Sequence, residues 1–285
     1  MAIGTTRGKR RLGRHLQPYL DRRGLKPADL AKELRTSEQT IKRLFKGDNL
    51  VNFHLFNAVL GALDLSPEEK HAAQELYDVA DADISTIEHA DSMQPKYRRF
   101  RLDESEAFRE RSLDTVVIPG LLQTAAYAQS LSLSNRPGWK GKWDPEKAAA
   151  ERRNRQAILT REDRPLQLEA LVDERVLDLI VGGSEVMAEQ YQHLLAMANL
   201  PNITIRLLAK DRGAYGAMSG PLFLLDFAEE DEPPSAYAEN VLGLDVVEKP
   251  EDVSMLAAVW DGAASMAVSP EDSEEIIKQK TRRSP

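Results

Sequence analysis

Apolar positions in the first eighty residues recur at helical spacing. Leu12, Leu16 and Leu20 stand four residues apart, one face of a helix that Gly24 ends. Leu30, Ala31 and Leu34 mark a second helix. Ser37 is a candidate N-cap for a third, with Ile41 and Leu44 facing inward and Gly47 closing it. Phe53, Phe56, Val59, Leu60 and Leu63 form a fourth stripe. Ser66-Pro67-Glu68-Glu69 is a strong helix start, with proline at the first helical position and acids in the first turn, and Leu76, Tyr77 and Ala80 complete a fifth helix. The pattern predicts an all-α domain over residues 1–80. Residues 71–95 hold no Lys or Arg and six Asp/Glu, and Pro95 closes them, so 81–95 reads as a linker.

Beyond the linker the period is mixed, and residues 96–285 read as a second domain. Residues 97–111 (YRRFRLDESEAFRER) have a helical look, 115–118 is a β-branched run stopped by Pro119-Gly120, and 121–131 is expected to be helical. Residues 134–143 read as a loop, and a helix is expected from Asp144-Pro145 to about Arg161. Strands are expected over 166–172, 203–208, 221–227, 236–239 and 242–247, with helices over 174–180, 184–198, from Glu251 and from Pro270. The fold class is therefore α+β: a five-helix N-terminal domain and a mixed α/β domain carrying a small sheet with antiparallel parts.

Charge sharpens this division. The net charge of −8 argues against a polyanion partner, but residues 1–50 hold 13 Lys/Arg against 5 Asp/Glu, a balance of +8, and the remainder holds 25 against 41, a balance of −16. A basic block on an acidic body points to an anion-binding N-terminal domain. Residues 26–48 (KPADLAKELRTSEQTIKRLFKGD) read as two short helices around a tight turn, with Ala31 as the small residue where they touch. On a helical wheel with Glu38 at zero, Lys42, Lys46, Gln39 and Arg43 fall between zero and about 140°, while Leu44 and Ile41 fall near 240° and 300°. One face is buried and the other is polar and mostly basic. Gln and Arg suit base edges, and Lys suits phosphate as a point charge. The alternative is a solvated helix face with no partner. Arg7, Lys9, Arg10, Arg11 and Arg14 precede or open the first helix and read as a phosphate-contacting arm.

Residues 26–47 resemble the XRE-type, phage-repressor-like helix-turn-helix, through the Leu30-Ala31 pair, the TxxxTI pattern at 36–41 and the terminal Gly47. The resemblance implies base reading by Glu38, Gln39 and Arg43, and contacts to phosphate or base edges from Ser37, Thr40 and Lys42. Pro27 and Ala28 depart from it, because many members carry Gln at the start of that helix. The second region resembles actinobacterial WhiJ-type regulators and antitoxin-like partners of small neighbouring proteins. The motifs that carry this are VIPGLLQTAAYA (117–128), RRNRQAILTRED (152–163), LEALVDERVL (168–177) and the stretch 182–208 beginning at Gly182-Gly183.

Other chemistry is sparse. There are no cysteines, which excludes disulfides and thiolate metal sites. His15, His54, His71, His89 and His193 form no metal-ligand pair, and neither a nucleophile elbow nor a phosphate loop is present. Gly213, Gly216 and Gly220 read as a mobile connection and Gly182-Gly183-Ser184 as a helix cap. Glu169, Asp173 and Glu174 are acids around a strand end that would need a pocket to do chemistry. No apolar run is long enough for a membrane span, and the basic N-terminus lacks the apolar core of a secretory signal. The expectation is a cytoplasmic, non-enzymatic regulator without cofactor or metal, binding double-stranded DNA as a homodimer through Ser37, Glu38, Gln39, Thr40, Lys42, Arg43, Lys46, Arg10 and Arg11. Its second domain would sense a ligand or a small co-encoded protein. The rival reading makes it an antitoxin-like binding protein whose DNA contact is autoregulatory.

Overall fold

The computed structural model describes residues 7–82, 95–133, 145–216, 218–228, 232–240 and 243–283. They divide into two compact units, Met1–Asp103 and Glu104–Pro285. Most of the expected linker and the expected 134–143 loop lie outside the described residues.

The first unit is helical: α1 (Arg7–Arg22), α2 (Pro27–Glu33), α3 (Glu38–Phe45), α4 (Phe53–Ala62) and α5 (Pro67–Ala82), with α6 (Pro95–Glu106) opening after the undescribed stretch. Leu12, Leu16, Leu20, Leu30, Ile41, Leu44, Phe56, Val59, Leu60 and Leu63 meet in one core. Each buried leucine there contributes roughly 1.5–3 kcal/mol. Phe53 is the exception among the expected stripes: it is 47% exposed and lies edge-on to Tyr77 with ring centroids 5.6 Å apart. The Tyr77 hydroxyl donates to the Val51 carbonyl at 2.7 Å and so ties α5 to the chain after α3. Helix α5 starts as expected: Ser66 Oγ accepts from the Glu69 amide and Glu69 Oε2 from the Ser66 amide.

The first four helices all stop the same way. A left-handed residue follows each, and two reversed amide bonds cover the last carbonyls. That residue is Gly24 after α1 and Gly47 after α3, where the sequence announces it. After α2 and α4 it is Arg35 (φ 52°) and Asp64 (φ 56°), where no glycine marks the stop.

The second unit is built on a six-stranded mixed sheet. Its strands are β1 (Arg109–Asp114), β2 (Gln167–Asp173), β3 (Ile203–Leu208), β4 (Leu222–Asp226), β5 (Ser235–Asn240) and β6 (Gly243–Val247), in the order β3-β2-β1-β4-β5-β6. The β1–β2 and β2–β3 pairs are parallel, and β1–β4, β4–β5 and β5–β6 are antiparallel. Parallel neighbours need a crossover. Helices α7 (Ala125–Leu133) and α8 (Pro145–Gln156) make the first and α9 (Ser184–Ala198) the second. Helix α10 (Pro250–Met266) covers one sheet face, with Val253, Trp260 and Ala263 packed on Leu113, Leu171, Leu222 and Leu224. Helix α11 (Pro270–Arg283) is pinned to β3 by Ser273, whose Oγ accepts from the Leu207 amide at 2.9 Å.

Five expectations are corrected here. Residues 109–111 are strand, not the end of a helix: the helix stops at Glu106, and Arg109, Glu110 and Arg111 pair with β2 on one side and β4 on the other. Residues 115–118 are bends that follow the strand. The helix expected over 121–131 is a 3₁₀ turn, Gly120–Leu122, followed by α7. Helix α8 ends at Gln156 and tightens into a 3₁₀ turn, Ala157–Leu159, instead of reaching Arg161. The 174–180 segment is likewise a 3₁₀ helix, Glu174–Asp178.

Candidate nucleic-acid interface and the motifs of the second unit

The geometry of α2 and α3 follows from local chemistry. Pro27 opens α2, and Asp29 Oδ2 accepts from the Lys26 amide at 3.0 Å. The chain then turns at Arg35, and the Thr36 amide closes back on the Ala31 carbonyl at 2.9 Å. Ser37 caps α3: its Oγ accepts from the Thr40 amide at 3.0 Å and lies 2.7 Å from Thr40 Oγ1. Ile41 and Leu44 are buried in the core.

The opposite face of α3 is open. Ser37, Glu38, Gln39, Lys42, Arg43 and Lys46 are exposed and Thr40 is half-buried. Lys42 Nζ lies 2.7 Å from Glu38 Oε1, an exposed pair one turn apart. Such pairs are worth about 0–1 kcal/mol, so Lys42 can exchange Glu38 for a phosphate at little cost. Arg43 and Lys46 form no ion pair among the described residues.

Helix α1 meets the end of α3 almost backbone to backbone. A Cβ on Gly13 would stand 2.3 Å from the Phe45 carbonyl oxygen, and one on Gly47 would stand 2.5 Å from the Arg10 Cα. Only glycine allows this approach, and it sets the first turns of α1 beside the last turn of α3. Gly47 carried a sequence signal as a helix stop. Gly13 carried none beyond being a glycine inside a helical stripe.

The basic residues at 7–14 are therefore part of α1 and not a free arm. Arg7 and Lys9 are buried, and Arg11 and Arg14 are half-buried. Within the first unit, Arg10 Nη2 lies 3.3 Å from Asp103 Oδ2, with the Arg10 side chain 11% exposed. A phosphate contact from Arg10 would require this pair to open.

The motifs of the second unit converge on one turn, residues 118–124. Gln123 Nε2 donates to the Ile118 carbonyl at 2.7 Å. Gln156 Nε2 donates to the Gln123 carbonyl at 2.6 Å and the Leu121 carbonyl at 3.0 Å. Gln190 Oε1 accepts from the Thr124 amide at 2.7 Å, and its Nε2 donates to the Leu122 carbonyl at 2.6 Å. Three glutamines far apart in sequence thus satisfy the backbone of a buried irregular turn, which would otherwise leave its polar groups unpaired. Gly120 has no side chain because Arg155 Nη1 and Arg152 Nη1 would lie 2.3 and 2.5 Å from its Cβ.

The acids at the end of β2 have ordinary partners. Asp173 accepts from the Arg175 amide at 2.9 Å, from Arg175 Nε at 2.8 Å and from the Tyr215 hydroxyl at 2.6 Å. Burial pushes its carboxyl up, but the Arg175 and Tyr215 bonds outweigh this and hold it below the usual carboxylate range. Tyr215 thereby anchors the glycine-rich stretch to β2. Glu174 and Asp178 are bridged by Lys210 and Lys280. Glu169 pairs with Arg109.

Among the described residues no helix is long and apolar enough to cross a membrane. A family model described as a helix-turn-helix domain matches residues 11–73, which covers most of α1, all of α2, α3 and α4 and the start of α5. No curated protein and no solved structure matches the chain. The model for a domain of unknown function (DUF5753) matches residues 97–279, more than half of the sequence and nearly all of the sheet-bearing unit, and the chain belongs to that family.

Proposed function

We propose that this protein is a transcriptional regulator that reads duplex DNA with α3, and that its second unit receives a signal without itself being an enzyme. The observation that carries the reading is the split of α3: Ile41 and Leu44 buried, Gln39, Lys42, Arg43 and Lys46 exposed on one helix-turn-helix face. Arg43 forks to a guanine edge, Gln39 reads adenine, and Glu38 accepts from cytosine N4. Lys42 and Lys46 neutralise phosphate, and Arg11 adds a flank contact. Two copies on a near-palindrome, half-sites one helical turn apart, would double the contacts. The likeness of the second unit to WhiJ-type and antitoxin-like regulators supports a small protein or a ligand as the signal.

The test begins with a duplex recovered by in vitro selection on the full chain. Arg43→Ala should then cost about 1–3 kcal/mol on that duplex and little on random DNA. Lys46→Ala should weaken both alike and lower the salt slope by roughly one. If no duplex is selected, or if neither variant changes affinity, α3 does not face DNA and the reading fails.

A further inference from the structure

The two edges of the sheet are treated differently. At the β3 edge the chain covers itself. The Leu207 carbonyl accepts from the Val268 amide at 3.0 Å, and the Leu207 amide donates to Ser273 Oγ at 2.9 Å. Arg206 donates from Nε to the Val268 carbonyl at 3.1 Å and from Nη2 to the Ala267 carbonyl at 2.9 Å. At the β6 edge, among the described residues, no further strand and no backbone hydrogen bond takes the outer side. An uncovered edge is a template for another strand.

The ladder fixes which groups point out of that edge. The Glu239 amide donates to the Pro221 carbonyl at 3.0 Å, and a Cβ on Gly220 would stand 2.7 Å from the Glu239 carbonyl oxygen. Both backbone groups of Glu239 therefore face β4. Glu239 lies opposite Leu244 in the β5–β6 register. Opposed residues of an antiparallel pair alternate between bonded and non-bonded. Leu244 thus turns its N–H and C=O away from β5, and so does Val246 two residues on. The Leu244 side chain is buried and Val246 is half-buried, so what they offer a neighbour is backbone.

The usual guards of an edge are missing here. The β5–β6 register runs from Gly243 to Val247 without a bulge, and Pro250 stands beyond the strand, at the start of α10. The one charged residue in the strand, Asp245, is held back toward β5 by Asn240 Nδ2 at 2.8 Å.

Two registers bring the outward groups of two identical strands face to face. One is centred on Asp245 and sets it opposite its own copy, where like charges are destabilising. The other is centred on Val246. It sets Asp245 opposite Val247 and diagonal to Lys249 of a second copy. Lys249 is exposed, continues the extended backbone (φ −67°, ψ 126°) and has no ion pair among the described residues. This register gives each Asp245 a cation, twice by symmetry.

We propose that β6 pairs edge to edge with β6 of a second copy of this chain, antiparallel about a two-fold axis at Val246, joining the two six-stranded sheets into one. The occupant is a second copy because the strand complements itself in backbone and in charge, and the pairing leaves no β6 edge open. It would supply the two-fold that a near-palindromic duplex requires. Association is measured without DNA, so this pairing and the DNA reading can each fail alone.

The experiment is sedimentation velocity of the full chain at micromolar concentration. The unaltered chain should sediment as a dimer. Val246→Pro removes one outward N–H and spares the β5 ladder, since proline is tolerated where the amide faces out of an edge. It should sediment as a monomer with an unchanged denaturation midpoint by tryptophan fluorescence, all three tryptophans lying in the second unit. Lys249→Glu sets an acid against Asp245. It should weaken association several-fold and serves if Val246→Pro does not fold. The chain has no cysteine, so single cysteines report the register. Opposed bonded residues stand about 5.5 Å apart at Cα, within disulfide reach. Val246→Cys should cross-link into a covalent dimer on mild oxidation, and Asp245→Cys should not. A monomeric full chain overturns the proposal and leaves the edge to a strand of a different protein. A folded Val246→Pro or Lys249→Glu chain as dimeric as the unaltered one also overturns it, as does cross-linking no better through Val246→Cys than through Asp245→Cys.

Discussion

Helix α3 and strand β1 treat polar side chains in opposite ways. On α3 the apolar side turns inward and the polar side outward: Ile41 and Leu44 are buried while Gln39, Lys42 and Arg43 stand in solvent. Strand β1 reads RERSLD and buries Glu110, Ser112 and Asp114. On the helix the polar groups meet water, with Lys42 pairing only with Glu38 one turn away. On the strand the acids must find their partners inside the unit, Glu110 beside Glu104 and Asp114 beside Ser112. Both depart from a plain core, and they do so in opposite directions.

The largest expected effect lies in the buried set. Arg155 Nε donates to both oxygens of the buried Glu104 carboxylate at 2.9 Å. Arg155→Ala leaves Glu104 buried without its guanidinium and should cost about 3–5 kcal/mol. Tryptophan fluorescence during denaturation of the full chain measures this, since all three tryptophans lie in the second unit. A loss below about 1 kcal/mol would place Glu104 in contact with solvent in solution and blur the contrast between the units.

An intermediate effect tests the backbone contact of the first unit. Helix propensity alone predicts that Gly13→Ala stabilises α1 by about 1 kcal/mol. The Phe45 carbonyl, 2.3 Å from the new Cβ, predicts the reverse. Overpacking of this kind costs about 1–3 kcal/mol, so the first calorimetric transition should move down. An upward shift would mean that α1 does not approach α3 so closely.

The smallest effect concerns Arg35, held at φ 52° between α2 and α3. A left-handed non-glycine residue is strained by roughly 1–2 kcal/mol, part of which glycine returns as unfolded-state entropy. Arg35→Gly should therefore be neutral or stabilising by up to about 1 kcal/mol in the same calorimetric scan. Clear destabilisation would show that the Arg35 side chain, and not the turn, holds α2 against α3.

Much of the first unit was legible because its information is local. The spacing of Leu12, Leu16 and Leu20, the Ser37 cap and the Ser66–Glu69 box act within one or two turns, and a sequence displays such signals directly. The outward face of α3 was legible for the same reason: once Ile41 and Leu44 point inward, helical geometry sends Gln39 and Arg43 out. The stops at Arg35 and Asp64 were not, because both adopt a left-handed backbone without the glycine that normally marks it.

The sequence by itself determined the helix-turn-helix, the α+β class and most of the strands after residue 166. Only the tertiary structure decided the identity of β1. Its alternation of charged residues matches no apolar period. It becomes a strand because β2 and β4 offer hydrogen-bond ladders on both of its edges, and because Arg155 comes from a distant helix to pair with Glu104 of the preceding one. Gly13 is the counterpart in the first unit. Its lack of a side chain is explained by a carbonyl thirty-two residues away, which no local pattern can show.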